Sequence, residues 1–139
     1  MNEMQEIYRK LLIKYYKNTY NSGLRNTGIQ KESKNTSCGD DVIIEAVIKD
    51  NVIESIRNDA KGCMICISSA SMLCKALEGK SVSEAKLICE EFSKMQKGAQ
   101  YQETLLGELA IFKCLDSFPA RKKCASLSFD AAVEIFMSI

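Results

Sequence analysis

The stretch Asp41-Val42-Ile43-Ile44-Glu45-Ala46-Val47-Ile48-Lys49-Asp50-Asn51-Val52-Ile53-Glu54-Ser55-Ile56-Arg57-Asn58-Asp59-Ala60 decides the fold. Val42, Ile44, Ala46 and Ile48 recur at a spacing of two, which places them on one face of a strand over 41–49. Asp50-Asn51 suits a tight turn, because these side chains tolerate positive φ. Residues 52–60 then return as the partner strand and carry Val52, Ile53 and Ile56. A lone hairpin is marginal in water, so a third strand or a covering helix must complete it.

Upstream, residues 24–37 are polar and weakly patterned, with at most a short edge strand near Gly28–Glu32. Before them, 4–17 reads as an amphipathic helix: Ile7, Leu11 and Tyr15 recur every four residues, with Tyr8 and Leu12 alongside. Downstream, Lys61-Gly62-Cys63 closes the hairpin and opens a helix over about 65–78, which Gly79 stops. Ser68, Ser69, Ala70 and Ser71 are small enough to let a neighbouring element approach closely. Ser81-Val82-Ser83-Glu84 is a capping-box pattern that starts a helix running to about Lys97. Its inward residues are Ala85, Ile88, Phe92 and Met95. A short helix is expected over 105–115, and a last one over 124–137 after Phe118-Pro119.

The chain has 139 residues, a length that fits one domain spanning 1–139. Its net charge of +1 gives no reason to expect nucleic acid or an anionic membrane as partner. No apolar run approaches the ~20 residues that span a bilayer, and the polar start Met1-Asn2-Glu3 does not read as a secretory signal. Seven cysteines, an odd number, argue against a disulfide framework and for a reducing, cytoplasmic setting. There is no histidine, which removes every mechanism that needs imidazole and restricts a metal site to Cys, Asp and Glu.

Cys38, Asp40, Cys63 and Cys124 stand out as candidate ligands. Cys38-Gly39-Asp40 is a glycine-hinged loop, Gly62-Cys63 precedes a helix, and Cys124 follows Arg121-Lys122-Lys123. Each cysteine sits at an element boundary in surroundings that favour thiolate: a helix N-terminus for Cys63, three cations for Cys124. Three thiols and a carboxylate suit Zn(II) or an iron–sulfur unit better than Mg(II) or Ca(II). Cys74, Cys89 and Cys114 fall inside helical patterns and read as small buried hydrophobes. Cys66 forms a C-x-x-C with Cys63, a spacing open to a redox pair, half a zinc site or a structural role.

The chain resembles the U-type iron–sulfur assembly proteins, and among them the SufU branch more than the IscU branch. The resemblance covers nearly the whole chain. It rests on Ile7-Tyr8-Arg9 through Tyr16-Lys17-Asn18, Asn21 and Gly23, Ser37-Cys38-Gly39-Asp40, Gly62-Cys63, Ser68-Ser69-Ala70-Ser71-Met72, and Phe118-Pro119-Ala120-Arg121-Lys122-Lys123-Cys124-Ala125-Ser126-Leu127-Ser128. IscU-type proteins carry a histidine before the third cysteine, where this chain has Lys123. They also carry a proline-rich chaperone-binding segment, whereas Pro119 is the one proline here. SufU-like proteins lack both and have an insertion between the second and third cysteines, which the long spacing from Cys63 to Cys124 matches. The chain departs from the family at Thr19, where a proline is expected, and at Cys66, where a serine is more usual.

The resemblance implies an α+β fold, a small, mostly antiparallel three-stranded sheet with helices packed on one face. It implies Zn(II) held by Cys38, Asp40, Cys63 and Cys124. It also implies a sulfurtransferase-like carrier that accepts persulfide sulfur from a pyridoxal-phosphate cysteine desulfurase of the SufS kind. The carrier passes that sulfur toward an iron–sulfur scaffold or apo-protein. Cys38 is the expected acceptor and Arg121 the residue expected to shape the exchange, by pairing with Asp40 or steadying a thiolate. The alternatives are a scaffold on which a [2Fe–2S] cluster is assembled and transferred, and a zinc-stabilised interaction domain without chemistry.

Overall fold

The computed structural model describes residues 3–139. Strands β1 (Ile29–Asn35), β2 (Asp40–Lys49) and β3 (Val52–Lys61) form an antiparallel sheet in the order β1-β2-β3. The expected edge strand exists and runs further than residue 32, because it pairs with β2 as far as Asn35 opposite Asp40. Asp50 and Asn51 both take positive φ, +53° and +63°, as a two-residue hairpin turn requires.

One irregularity sets the inner face of the sheet. Val47 pairs with Ser55 but Ile48 pairs with Ile53, so Glu54 is an extra residue in β3. The bulge turns Ile53 and Ile56, three apart, to the same side, where both are fully buried with Val42, Ile44 and Ala46. Val52 is exposed, because neighbouring strand residues point to opposite faces.

The helices cover that face. They are α1 (Glu3–Lys17), α2 (Met64–Leu77), α3 (Val82–Gln96), the short α4 (Glu103–Leu106) and α5 (Pro119–Met137). One hydrophobic core joins the sheet to α1, α2, α3, α5 and the segment before α5. Leu12 and Tyr15 dock α1, while Ile7 is 55% exposed and lies off the buried stripe that sequence spacing assigns it to. Ser81 caps α3 by accepting from the Glu84 N–H at 3.1 Å, as the capping-box pattern predicts. The expected helix over 105–115 is a single α turn followed by a 3-10 stretch over Gly107–Ser117; Gly107 takes φ +54° where the two meet. Its Leu109, Phe112 and Leu115 are buried.

The last helix begins at Pro119, earlier than the expected start at 124. Proline at the first helical position has its φ preset and lacks only an N–H that would be unpaired there anyway. Arg121 and Cys124 therefore ride on the first turns of α5 and not on a loop. Among the described residues no helix is long and apolar enough to cross a membrane.

Gly62 is where packing tolerates no side chain. Its φ is +142°, and a Cβ there would lie 2.9 Å from the Asp40 Cα and press on the carboxylate. Gly62→Ala should therefore lower stability in a denaturant titration by about 1–3 kcal/mol, the usual cost of a strained backbone position, with the steric shift of Asp40 added. Gly98→Ala (φ +77°, open space around the added Cβ) is the control, and it should cost less.

Candidate metal centre

Three chain segments meet at one end of the sheet. The β1–β2 connection is short because Asn35 and Asp40 are already paired across the strands. The Cys38 N–H donates to the Asn35 carbonyl at 3.2 Å, and Gly39 takes φ +71°. This turn lifts Cys38 into solvent and drives Asp40 inward, to 2% exposure. Cys63 is the N-cap of α2, half-buried, with no capping hydrogen bond from its side chain. Cys124, 1% exposed, comes from α5.

The ligand atoms of Cys38, Asp40 and Cys124 all lie within 4.8 Å of one another. Cys63 stands at the margin of this triad. Its N–H donates to Asp40 Oδ1 at 2.9 Å and its Sγ is 3.9 Å from Asp40 Oδ2, yet it is not among the three that are mutually close. Asp40 is thus the link between the cysteines: one oxygen fixes the start of α2, and the other faces sulfur.

The electrostatics differ from the sequence expectation at Cys124. The run Arg121-Lys122-Lys123 is expected to lower its thiol pKa, but the thiol is pushed well up. Burial contributes most, followed by hydrogen bonding with Asp40 and Cys38 and by the charges of Cys63 and Asp40. Lys122 is turned away: its Nζ is 2.9 Å from Asp116 Oδ1 and donates to the Gln96 carbonyl at 3.0 Å. Arg121 alone of the run faces the cysteines. Its guanidinium is held further toward the charged form by the charge of Cys63, a hydrogen bond with Cys124, and the charges of Cys124 and Cys38. Among the described residues it makes no ion pair with Asp40, so of the two expected roles only the one beside the thiols has support.

These observations describe a site short of positive charge. Several acidic groups crowd together, and burial with these neighbours pushes Cys124 toward its protonated form. A divalent cation that binds thiolates would relieve both, so the donor set fits Zn(II).

Asn35 was not legible as a site residue. It is 3% exposed, its carbonyl holds Cys38 and its Nδ2 lies 3.9 Å from Cys124 Sγ. The one available signal was an Asn shortly before a Cys-Gly pair, a position where such side chains bond to nearby turns. Two other buried cysteines match their expected structural role: burial pushes Cys74 and Cys89 up to about 12. Cys66 is also fully buried, and Cys114 is half-buried.

Metal uptake at these thiols must displace protons. Calorimetric titration with Zn(II) in buffers of different ionisation enthalpy should therefore show proton release, and affinity should fall as pH drops. A strong chelator should lower the melting temperature of the metal-loaded chain. Cys124→Ser should abolish that chelator effect, and Cys89→Ser should leave it in place.

Residues 7–125 match the family model of the NifU-like N terminal domain. The chain is 33% identical over 129 residues to the zinc-dependent sulfurtransferase SufU of Bacillus subtilis, covering 92% of this chain and 88% of that one. It is 29% identical over 116 residues to the iron–sulfur cluster assembly scaffold protein IscU of Thermotoga maritima, covering 84% and 82%. The fold superposes with a TM-score of 0.86 on a crystal structure from Fervidobacterium islandicum, described as an iron–sulfur cluster assembly scaffold protein for the SUF system. Identity there is 25%, and the match covers 94% of this chain and 97% of that one.

Proposed function

The chain belongs to the NifU-like N-terminal domain family of iron–sulfur cluster assembly proteins, and from that premise we propose that it is a zinc-dependent sulfur carrier. In this reading Cys38, Asp40, Cys63 and Cys124 hold the metal in one domain over 1–139. Cys38 receives sulfane sulfur from the persulfide of a pyridoxal-phosphate cysteine desulfurase in the cytoplasm. The sulfur then passes to an iron–sulfur scaffold or an apo-protein.

One observation carries the choice of acceptor: the triad is unequal in exposure. Asp40 and Cys124 are buried, whereas Cys38 is exposed on a loop with glycine beside it. Bound zinc would keep the thiols deprotonated and masked between turnovers. The Cys38 loop can swing outward without moving β2 or α5. Its thiolate then attacks the outer sulfur of the donor persulfide. The donor S–S bond breaks, the donor leaves as thiolate, and Cys38 carries the persulfide, with no net oxidation. Arg121, exposed beside all three cysteines, supports the anionic sulfur during the exchange.

The same donor set of three thiols and a carboxylate can hold a [2Fe–2S] unit as cargo, which supports the scaffold reading. Colour separates the two: anaerobically purified chain is colourless as a zinc carrier and brown as a cluster scaffold.

Single-turnover persulfide transfer tests the carrier reading. Cys38→Ala should form no persulfide and should not stimulate the desulfurase. Arg121→Ala should keep zinc and fold yet accept sulfur at least about tenfold more slowly, a tenfold rate being a small change in barrier. Lys122→Ala, whose side chain faces Asp116, should behave as wild type. Wild-type transfer by Cys38→Ala would overturn the assignment of the acceptor.

A further inference from the structure

Cys66 has no part in the proposed metal site or in sulfur transfer. It follows Cys63 in the first turn of α2 and is fully buried. Cys63 is the N-cap and Cys66 the third helical residue, so the two stand about one turn apart on the same side of the helix start. The Cys63 side chain makes no capping hydrogen bond, and its sulfur is held only by a long contact, 3.9 Å, to Asp40 Oδ2. The pair is unequal in access: Cys63 is half-buried and open to a small reagent, while Cys66 is shielded. A more accessible first thiol and a shielded second one at a helix N-terminus form the arrangement that disulfide oxidoreductases use. Cys66 also lies within the field of the site. Burial first, then the charges of Asp40, Cys63 and Asp41, push its thiol up to about 12.

We propose that Cys63 and Cys66 form a redox-active dithiol, whose disulfide withdraws Cys63 from the metal centre and so releases the metal under peroxide stress. The metal-release half of this inference rests on the zinc site argued above; the disulfide itself does not. The step balances with hydrogen peroxide as oxidant. The Cys63 thiolate attacks one peroxide oxygen, the O–O bond breaks, and hydroxide leaves and takes up a proton, giving a sulfenic acid. The Cys66 sulfur then attacks the Cys63 sulfur and the S–O bond breaks. The departing hydroxide takes the Cys66 proton. Two thiols and one peroxide become one disulfide and two waters, and a thiol reductant reverses the change.

The competing outcome is a link between Cys38 and Cys124, whose sulfurs lie within 4.8 Å of each other. The experiment treats the full chain, zinc-loaded and metal-free, with limited hydrogen peroxide. Zinc release is followed with a chromogenic chelator, and the oxidised bond is located by fragmentation mass spectrometry. The expected result is loss of two hydrogens between Cys63 and Cys66, zinc release, and recovery of zinc binding after dithiothreitol. Cys66→Ser and Cys66→Ala should bind zinc and accept sulfur before oxidation. After it, they should recover at least about threefold less zinc binding, because an unresolved Cys63 sulfenic acid proceeds to sulfinic acid. Recovery equal to wild type in either variant, or a Cys38–Cys124 link in place of Cys63–Cys66, would overturn the proposal. If the reduced chain takes no zinc, the proposed function fails instead, while mapping of the metal-free chain still decides the dithiol.

Discussion

The close approach of α2 to α5 is the constraint on which the rest depends. Ser69 Oγ donates to the Ala125 carbonyl at 2.5 Å and lies 3.3 Å from Ser128 Oγ, all buried. Such contact is open only to small side chains, and each buried hydroxyl must then find a partner. Because Ala125 follows Cys124 and Ser69 is on the helix that Cys63 caps, the same contact brings two thiols toward one end of the sheet. A larger residue at 69 would separate the helices and, with them, the site.

The neighbouring serines extend this clamp to other elements. Ser68 Oγ donates to the Leu12 carbonyl at 2.7 Å and so docks α1. Ser71 Oγ accepts from the Tyr20 N–H at 2.6 Å and anchors the loop after α1. That loop is also tied to β3: Asn58 donates to the Tyr20 carbonyl at 2.9 Å, and the Gly23 N–H donates to the Asn58 carbonyl at 2.8 Å. The fully buried small-residue run is therefore a polar hub. Its directional bonds fix orientations that apolar packing alone leaves loose. On the far side α5 is held to α3 by stacking of Phe92 on Phe129, with centroids 3.7 Å apart.

In the proposed carrier, a buried hub and an exposed turn divide the work of the site. Asp40 and Cys124 sit on β2 and α5 and are enclosed, while Cys38 hangs on a short turn at the end of the sheet. Rigid anchors keep a metal site assembled, and one exposed ligand gives a partner something to reach. Arg121 enters only because α5 begins at Pro119, which sets the guanidinium beside the cysteines and sends Lys122 toward Asp116.

Local pattern alone determined much of this protein. Alternation over 41–60, the Asp50-Asn51 turn and the Ser81–Glu84 cap are all carried by residues close together in the chain, where backbone preference and periodicity act. The three-stranded sheet with helices on its inner face agrees with the α+β expectation. Tertiary structure decided what depends on distant partners. The Glu54 bulge sends Ile53 and Ile56 to one face. Ile7 is left outside because α1 docks through Leu12 and Tyr15. Asn35 becomes a neighbour of Cys124 only when β1 and α5 meet. The basic run before Cys124 looked like a local pKa control, yet burial and acidic neighbours from two other segments outweigh it. Charge effects follow distance through space and local dielectric, and a linear sequence shows neither.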